Sequence, residues 1–310
     1  MAIIGKTCRL EVETIMADYL VRAIGAGGNV RAFAAVTTAL TEEARRRHDT
    51  WPVATAALGR ALTGTALLAA TLKDPNESLT LRVAGDGPLR GILCDADEQG
   101  HVRGYVTEPH VDLEPAARGK LNVGAAVGTG MLYVTRQLAL QGIYTGSSEL
   151  VSGEIAEDLA YYLTRSEQTP SAVGLGVRVG PDGAVVAAGG YMVQLLPATP
   201  DADRDRLEEN LGRLGSVSLA VEQGMTPEEI LSVVLTGIDY QILERRDLSF
   251  PCRCSRERAL GAIALLDETE LSGLVEEGRG AELTCHFCNA VYRFSPEEVL
   301  QVQRGMKDKQ

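Results

Sequence analysis

The chain is poor in aromatic residues and in cysteine. Aromatic residues make up 5% of its 310 residues, with one tryptophan, and there are six cysteines. So few aromatic side chains leave little material for the stacking surfaces of sugar- or base-binding sites. The cysteines are too sparse for the disulfide framework of a small secreted protein. The composition therefore supports neither class.

Positive charge is scarce as well. The chain has 30 Lys and Arg residues against 42 Asp and Glu residues, a net charge of −12 at pH 7. Nucleic-acid-binding proteins normally carry a basic surface that attracts phosphates. We therefore expect no nucleic-acid partner.

Long apolar runs are also missing. The longest weakly polar stretch, 121–134, contains Asn122 and Thr129 and is shorter than the roughly 18 apolar residues that suggest a membrane-spanning helix. Near the N-terminus, Lys6 and Arg9 interrupt the apolar run that a signal peptide needs. The sequence predicts a cytoplasmic protein with no membrane partner.

Familiar catalytic motifs are missing too. There is no P-loop for ATP, no HExxH metalloprotease motif and no GxSxG nucleophile motif. We therefore predict neither an enzyme nor a user of ATP. Two cysteines without a neighbouring ligand, and the four histidines, receive no catalytic or metal-binding role: Cys8, Cys94, His48, His101, His110 and His286.

The first two thirds of the chain mix helical and strand patterns. An Ala- and Leu-rich segment, 52–72, predicts a core helix, and 79–106 predicts a β-meander with tight turns. Ser152 is the predicted cap of the next helix, and two strands flank the turn at 180–183. We expect an α+β fold in which residues 1–197 form a mixed domain with an antiparallel sheet.

A charged segment follows, and residues 198–250 are predicted to be a helical linker. Thr226 and Glu229 have the spacing of a capping box at the start of a helix. Several glycines in the segment weaken its helices, so parts of it are predicted to be marginally stable. Ordinary surface helices explain the same propensities equally well.

Four cysteines are clustered in the last sixty residues, predicted to be a small C-terminal α+β domain at 251–310. They form a CxC pair and a CxxC pair separated by 30 residues: Cys252, Cys254, Cys285 and Cys288. Four thiolates in two close pairs are typical of a tetrahedral Zn²⁺ site. The flanking residues predict that the CxxC pair lies in a hairpin turn, followed by a helix that Ser295 caps. The motif leaves open whether the zinc is permanent or is released by oxidation.

The quartet, with its CxFC followed by YxF, resembles the zinc-binding end of the redox-regulated 33 kDa chaperonins, the heat shock protein 33 family. Three upstream segments are similar to the same family: RAFAAVTTALTEEARRRHDTWPVATAALGRALTGTALLAATLK, GDGPLRGILCDADEQGHVRGY and SGEIAEDLAYYLTRSEQTPSAVGLGV. The resemblance covers nearly the whole chain.

This resemblance implies an ATP-independent holdase that is inactive when reduced and zinc-bound and is activated by oxidation. The four cysteines would bind one Zn²⁺, and oxidation would pair Cys252 with Cys254 and Cys285 with Cys288. Unfolding client proteins are the implied partners, and the active form would be a homodimer.

Two other functions remain compatible with the residues alone. The CxxC pair is compatible with a thiol-disulfide oxidoreductase. The quartet is also compatible with a zinc-ribbon adaptor that has a constitutive partner.

Overall fold

The computed structural model describes residues 17–116, 120–140, 142–276 and 280–307. The strands within these ranges are β1 (Tyr19–Gly25), β2 (Val30–Val36), β3 (Ser78–Gly85), β4 (Ile92–Asp97), β5 (Val102–Val106), β6 (Gly130–Leu138), β7 (Gly142–Glu149), β8 (Ser171–Val179), β9 (Val185–Leu195), β10 (Tyr240–Asp247), β11 (Ala281–Thr284) and β12 (Val291–Phe294). The helices are α1 (Thr38–His48), α2 (Pro52–Ala69), α3 (Val123–Val127), α4 (Ala156–Arg165), α5 (Asp201–Leu214), α6 (Val217–Glu222), α7 (Pro227–Val234), α8 (Arg256–Ile263), α9 (Glu268–Glu276) and α10 (Pro296–Lys307).

None of the helices in these ranges combines the length and the hydrophobicity needed to cross a bilayer.

Two five-stranded antiparallel sheets and a separate hairpin account for the strands. The first sheet has the order β10-β1-β2-β9-β8, and the second has the order β5-β4-β3-β6-β7. β11 pairs with β12. The predicted α+β class with antiparallel sheets is confirmed, and β3, β4 and β5 form the predicted meander.

Helix α2 is buried by both large sheets. All of its residues except Pro52 and Arg60 are buried, and it contacts strands of each sheet. A helix that is apolar on every side is a core helix. A Cβ at Gly59 would lie 2.5 Å from Thr41 Cγ2, and one at Gly64 would lie 2.5 Å from Leu159 Cδ1. The small residues therefore allow neighbouring elements to approach α2 closely.

The predicted cap of α4 is wrong. The side chain of Asp158, in the first turn of the helix, accepts hydrogen bonds from the N–H groups of Val151, Ser152 and Ile155. A buried carboxylate reaches several N–H groups at once, whereas the Ser152 hydroxyl accepts only from the Glu154 N–H. Asp158 therefore fixes the chain that enters α4.

The predicted linker, 198–250, is helical only in part. Helices α5, α6 and α7 occupy its first portion, and Thr226 and Glu229 form the predicted capping box. The helical prediction is wrong for β10, which pairs with β1 in antiparallel register from Tyr19↔Asp247 to Gly25↔Tyr240. This pairing satisfies the backbone groups along the β1 edge, which outweighs local helix propensity.

The linker helices cover one face of the first sheet. Four fully buried residues of the α7 region, Ile230, Leu231, Val234 and Leu235, share an apolar cluster with residues of β1 and β2. Asn210 in α5 donates to the carbonyl groups of Val234 and Thr236. The linker is therefore folded onto the first sheet.

The C-terminal module, residues 251–307, has a very small core. Among its described side chains, four hydrophobic ones are buried in one cluster, with partly buried neighbours around them: Ile263, Leu271, Phe294 and Val299. The Ser295 hydroxyl accepts from the Glu298 N–H, and the Glu298 carboxylate accepts from the Ser295 N–H, as predicted for the cap of α10. So little buried apolar area supplies little folding energy.

Candidate metal centre

The CxxC pair lies in the turn between β11 and β12, as predicted. Cys285 N–H donates to the Ala290 carbonyl, and the Cys285 carbonyl accepts from the N–H groups of Cys288 and Asn289. Asn289 has a positive φ of 58°, a left-handed conformation that asparagine tolerates better than most residues. This tight turn directs both thiols of the pair to one side.

The CxC pair comes from the segment just before α8. Ser255 caps this helix by accepting a hydrogen bond from the Arg258 N–H. Because Ser255 follows Cys254 directly, the cap orders the end of the CxC segment against the start of α8. All four predicted cysteines meet here, with every Sγ within 4.8 Å of the others.

The sulfur separations suit a metal and exclude a disulfide. Cys252 Sγ lies 3.6 Å from Cys285 Sγ, and Cys254 Sγ lies 3.3 Å from Cys288 Sγ. Four sulfurs bound tetrahedrally at about 2.3 Å from a metal would lie about 3.8 Å apart, whereas a disulfide needs about 2.05 Å. The four cysteines are free thiols that could bind a metal ion.

The pKa values of these thiols diverge. Burial opposes ionisation of Cys252, but hydrogen bonds from the Cys254 N–H and from the neighbouring thiols outweigh it and lower its pKa to about 7. Burial raises the pKa of Cys288 and that of Cys285. Of Cys252, Cys285 and Cys288, Cys252 is therefore the thiol that ionises most readily when no metal is bound.

The cysteine hairpin, residues 281–294, lies against the N-terminal part of the chain. The Phe287 carbonyl lies 3.1 Å from His48 Nε2. The Phe287 ring lies under the Arg103 guanidinium, 4.1 Å from its centroid, and meets the Tyr105 ring edge-on at 5.6 Å. Tyr105 also stacks on His286, at 5.8 Å. The hairpin is therefore held by α1 and β5.

Because the Phe287 carbonyl can only accept a hydrogen bond, His48 carries a proton on Nε2. Burial lowers the pKa of His48 more than the Phe287 carbonyl raises it. The ring is therefore neutral at pH 7, and its Nε2–H donates to the Phe287 carbonyl.

An ion pair holds the CxC segment on the same side. Arg253 pairs with the largely buried Asp97 at the end of β4, and Asp97 also binds His101 Nδ1 at 3.0 Å. Cys288 is buried and belongs to the main apolar core. The cysteine cluster is thus packed against the N-terminal part of the chain.

The sequence predictions had not identified this contact surface. His48, Arg103, Tyr105 and Phe287 lie in segments that resemble the family, but no local pattern indicates that they meet, and the chain separates His48 from Phe287 by 239 positions. Cys94 is buried in β4, where burial raises its pKa, in keeping with its lack of an assigned role. Cys8 lies outside the described residues.

A family model described as "Hsp33 protein" matches residues 18–295. The chain belongs to the Hsp33 family. A curated relative named 33 kDa chaperonin, from Desulforamulus reducens, is 48% identical over 294 residues, covering 95% of this chain and all of the relative. The Listeria monocytogenes protein of the same name is 49% identical over 295 residues, covering 94% of this chain and all of that relative.

A solved structure agrees in fold. The crystal structure of a 33 kDa chaperonin from Thermotoga maritima, a heat shock protein 33 homologue, superposes with a TM-score of 0.88 at 36% identity. The match covers 94% of this chain and 99% of that one. The Hsp33 fold therefore extends over nearly the whole chain.

Proposed function

We propose that this protein is a redox-regulated, ATP-independent chaperone of the holdase type that binds unfolding client proteins. The observation that carries the proposal is the cluster of four free cysteines, all within 4.8 Å, packed between a very small C-terminal core and the N-terminal domain. Membership of a family whose relatives are named chaperonins supports the chaperone part. The domain boundaries near 197 and 250 are part of this proposal.

Zinc is the proposed metal. Cys252, Cys254, Cys285 and Cys288 would bind one Zn²⁺ through four thiolates, a donor set that zinc prefers and that closes the coordination sphere. When bound, the ion supplies folding energy, an apparent 10 to 16 kcal/mol in small zinc peptides. Because the C-terminal module has so small a hydrophobic core, its folding would depend on the energy supplied by the metal.

Oxidation is proposed to remove the metal. Loss of two electrons from Cys252 and Cys254, and of two from Cys285 and Cys288, forms two disulfides and leaves no thiolate to bind Zn²⁺. Each disulfide brings sulfurs from the metal-bound spacing to about 2.05 Å. The oxidant accepts the four electrons.

Metal loss would then propagate to the linker. The backbone of Ser249, just after β10, is hydrogen-bonded to Gly100 and Val102 beside the module, and unfolding of the module would loosen this segment. Release of β10 from β1 and of α7 from the first sheet exposes apolar surface, including Leu207, Leu211, Ile230 and Leu235. Flexible apolar surface accepts many partners, as a holdase requires.

The deciding experiment follows zinc and activity together. Reduced protein is titrated with hypochlorite or peroxide while a chromogenic chelator reports zinc and light scattering reports aggregation of a heat-unfolded client. The proposal expects zinc release and suppression of aggregation to rise together, and reductant plus zinc to reverse both. Equal suppression by reduced and oxidised protein would refute it.

The remaining parts of the proposal concern partners and location. The activated form is a homodimer, the protein is cytoplasmic, and neither nucleic acid nor ATP takes part. An analytical ultracentrifugation run before and after oxidation tests the change in oligomeric state.

A thiol-disulfide oxidoreductase is the alternative. No observation favours it, because the CxxC pair lies in a β-hairpin turn rather than in the βαβ setting of thioredoxin-like enzymes. Catalytic insulin reduction that is abolished by Cys285→Ser alone would support it.

A further inference from the structure

The cysteine cluster opens into a small surface cavity. The cavity measures about 270 Å³, and Cys252, Cys254 and Cys285 line it, whereas Cys288 does not. Three of the four thiols are therefore accessible from one side, and Cys288 is buried against the N-terminal core. A reagent that reaches the cluster through this cavity meets those three sulfurs first.

Three arginine side chains line the cavity of this strongly acidic protein. Three of its lining residues are Arg103, Arg253 and Arg258, and no acidic side chain among the described residues lines it. Arg103 is paired with Asp95 at 3.1 Å, and Arg253 is paired with Asp97. Arg258 donates to the Arg253 carbonyl at 2.7 Å and makes no ion pair within the described ranges. Arg258 therefore supplies an uncompensated positive charge.

We propose that this cavity is the entry site for anionic disulfides, meaning small disulfides that carry carboxylate groups. This inference rests on the proposed redox function and names the class of oxidant that reaches its cysteines. The guanidinium groups would bind the carboxylates. The rings of Phe287 and Tyr292 line the same cavity and offer apolar surface to the rest of the molecule.

The chemistry at the site is thiol-disulfide exchange. A cysteine thiolate attacks one sulfur of the bound disulfide RS–SR, forms a Cys–S–SR mixed disulfide and expels RS⁻. A second cysteine thiolate of the cluster attacks the cysteine sulfur, forms a Cys–Cys disulfide and expels the second RS⁻. The two cysteines lose two electrons, and the reagent gains them as two thiolates.

The arginines matter because the rest of the molecule repels such reagents. The protein carries a net charge of −12, and a zinc tetrathiolate adds a local charge of about −2. An anionic reagent approaching an acidic surface reacts faster when salt screens the repulsion. If a bound reagent contacts the guanidinium groups of the cavity directly, this short-range attraction outweighs the general repulsion, so that salt slows the reaction.

The sign of the salt effect provides the first test. Zinc release from reduced, zinc-loaded full-length protein is timed with the dianion 5,5′-dithiobis(2-nitrobenzoate) and with neutral 4,4′-dithiodipyridine, at low and high ionic strength. The proposal expects the rate ratio of the dianion to the neutral reagent to fall as salt is added. A ratio that rises, or does not change, overturns it.

Two matched substitutions give the second test. Arg258→Gln is expected to slow zinc release by the dianion about threefold and to change zinc release by the neutral reagent far less. The expected size is that of the Coulomb attraction of one charge at close range in a partly screened site. Arg293→Gln removes the same charge from the same module, but Arg293 is exposed, pairs with Glu282 and does not line the cavity. This control is expected to leave the ratio unchanged.

Two results of the substitution test would contradict the proposal. Equal slowing of both reagents by Arg258→Gln would mean that Arg258 acts on the thiolates rather than on the reagent. An equal effect of Arg293→Gln would mean that only net charge matters. If Arg258→Gln does not retain zinc, the salt test on the unaltered protein still decides.

The readout separates this inference from the proposed function. Charge selectivity is measured as a rate of zinc release and does not need chaperone activity. Zinc release without any suppression of client aggregation would refute the proposed function and leave the selectivity standing. A failed salt test would leave the holdase proposal intact.

Discussion

At the scale of single residues, one hydroxyl group contacts the cysteine cluster directly. Tyr292 Oη donates to Cys254 Sγ at 3.1 Å. The hydrogen bond to that sulfur raises the pKa of Tyr292 to about 12, so the hydroxyl remains a donor at neutral pH. A donor aimed at a ligand sulfur orients it and offsets part of its negative charge.

Tyr292→Phe is therefore expected to weaken zinc binding. Loss of such a supporting contact typically costs about 10- to 100-fold in metal affinity, and we expect the lower end because all four thiols remain. Competition with a chelator of known affinity measures the effect. Tyr144→Phe, in the exposed part of β7, is the control. Equal affinities of the two variants would contradict the assigned role of Tyr292.

A single residue, Asp18, makes the free energy of unfolding depend on pH. Its buried carboxylate accepts hydrogen bonds from the Ala39 and Leu40 N–H groups at the start of α1. Burial raises its pKa to about 6, although these N–H groups lower it. The folded state thus binds a proton that the unfolded state, with a pKa near 3.8, releases.

The stability contributed by protonated Asp18 is complete below about pH 4 and is lost as the pH rises through about 6. The shift corresponds to at most about 3 kcal/mol of unfolding free energy. We expect the free energy of unfolding of the natural protein to fall over this range relative to Asp18→Asn, measured by urea denaturation at each pH. Parallel pH curves would contradict this assignment.

At the scale of elements, the cysteine hairpin is the part that joins the C-terminal module to the N-terminal domain. Its Phe287 ring contacts Arg103 and Tyr105 of β5, and its backbone accepts from His48 of α1. Phe287 provides none of the four thiols that are the proposed metal ligands. The contact can therefore be weakened while the metal ligands are kept.

Phe287→Ala is expected to retain one equivalent of zinc yet to release it several-fold faster on oxidation, because the hairpin loses its main aromatic contact. Amide exchange in β5 and at residues 248–250 should also speed up in the reduced protein. Val291→Ala, an exposed position of β12, is the control. Unchanged exchange in β5 would show that the aromatic contact does not hold the module.

Helix α7 is one of the linker helices that cover the first sheet. Leu231 is fully buried in the cluster shared with β1 and β2, whereas Leu219 in α6 is 44% exposed. Truncating a buried leucine typically costs about 2 to 5 kcal/mol. Local opening of α7 should therefore become frequent without any change at the cysteines.

Leu231→Ala is expected to suppress client aggregation while still reduced and zinc-bound. Light scattering measures the activity, and amide exchange of residues 226–247 reports the opening. Leu219→Ala should resemble the natural protein in both measurements. A Leu231→Ala variant whose linker opens but which remains inactive would mean that clients bind elsewhere.

At the scale of the whole molecule, stability is unevenly distributed. The N-terminal sheets enclose α2 in a large buried cluster, whereas the separate cluster of the C-terminal module has four buried hydrophobic side chains among those that the structure describes. Unfolding of one part need not unfold the other.

Removing the metal by a chelator under reducing conditions is expected to abolish amide protection in 251–307 while β2, β9 and α2 remain protected. Hydrogen exchange with and without zinc measures this directly. Uniform loss of protection across the chain would show that the two parts unfold as one unit.

Local signals in the sequence predicted local structure well. The capping boxes at Thr226 and Ser295 each span three positions, and the turn of the CxxC pair joins Thr284 to its strand partner Val291, seven positions further on. All three were confirmed. The meeting of the CxC and CxxC pairs was predictable because a tetrathiolate site needs both.

Features that depend on distant residues were not predictable. The local sequence of β10 was predicted to be helical, and it is a strand because it pairs with the edge of β1. Ser152 has a good capping residue type, but the buried carboxylate of Asp158 accepts the hydrogen bond from the Ile155 N–H at the start of α4. The contact of His48 with Phe287 exists only once the chain has folded.

The pairing of β1 with β10 has a consequence for synthesis on the ribosome. Tyr19 pairs with Asp247, so more than two hundred residues must be translated after β1 before its edge partner exists. A nascent chain can complete both N-terminal sheets except for this strand, and folding proceeds from the N-terminus as synthesis advances. During that interval the β1 edge and the sheet face under α7 are open, so each new molecule passes through an uncovered form before its own C-terminal segment closes it.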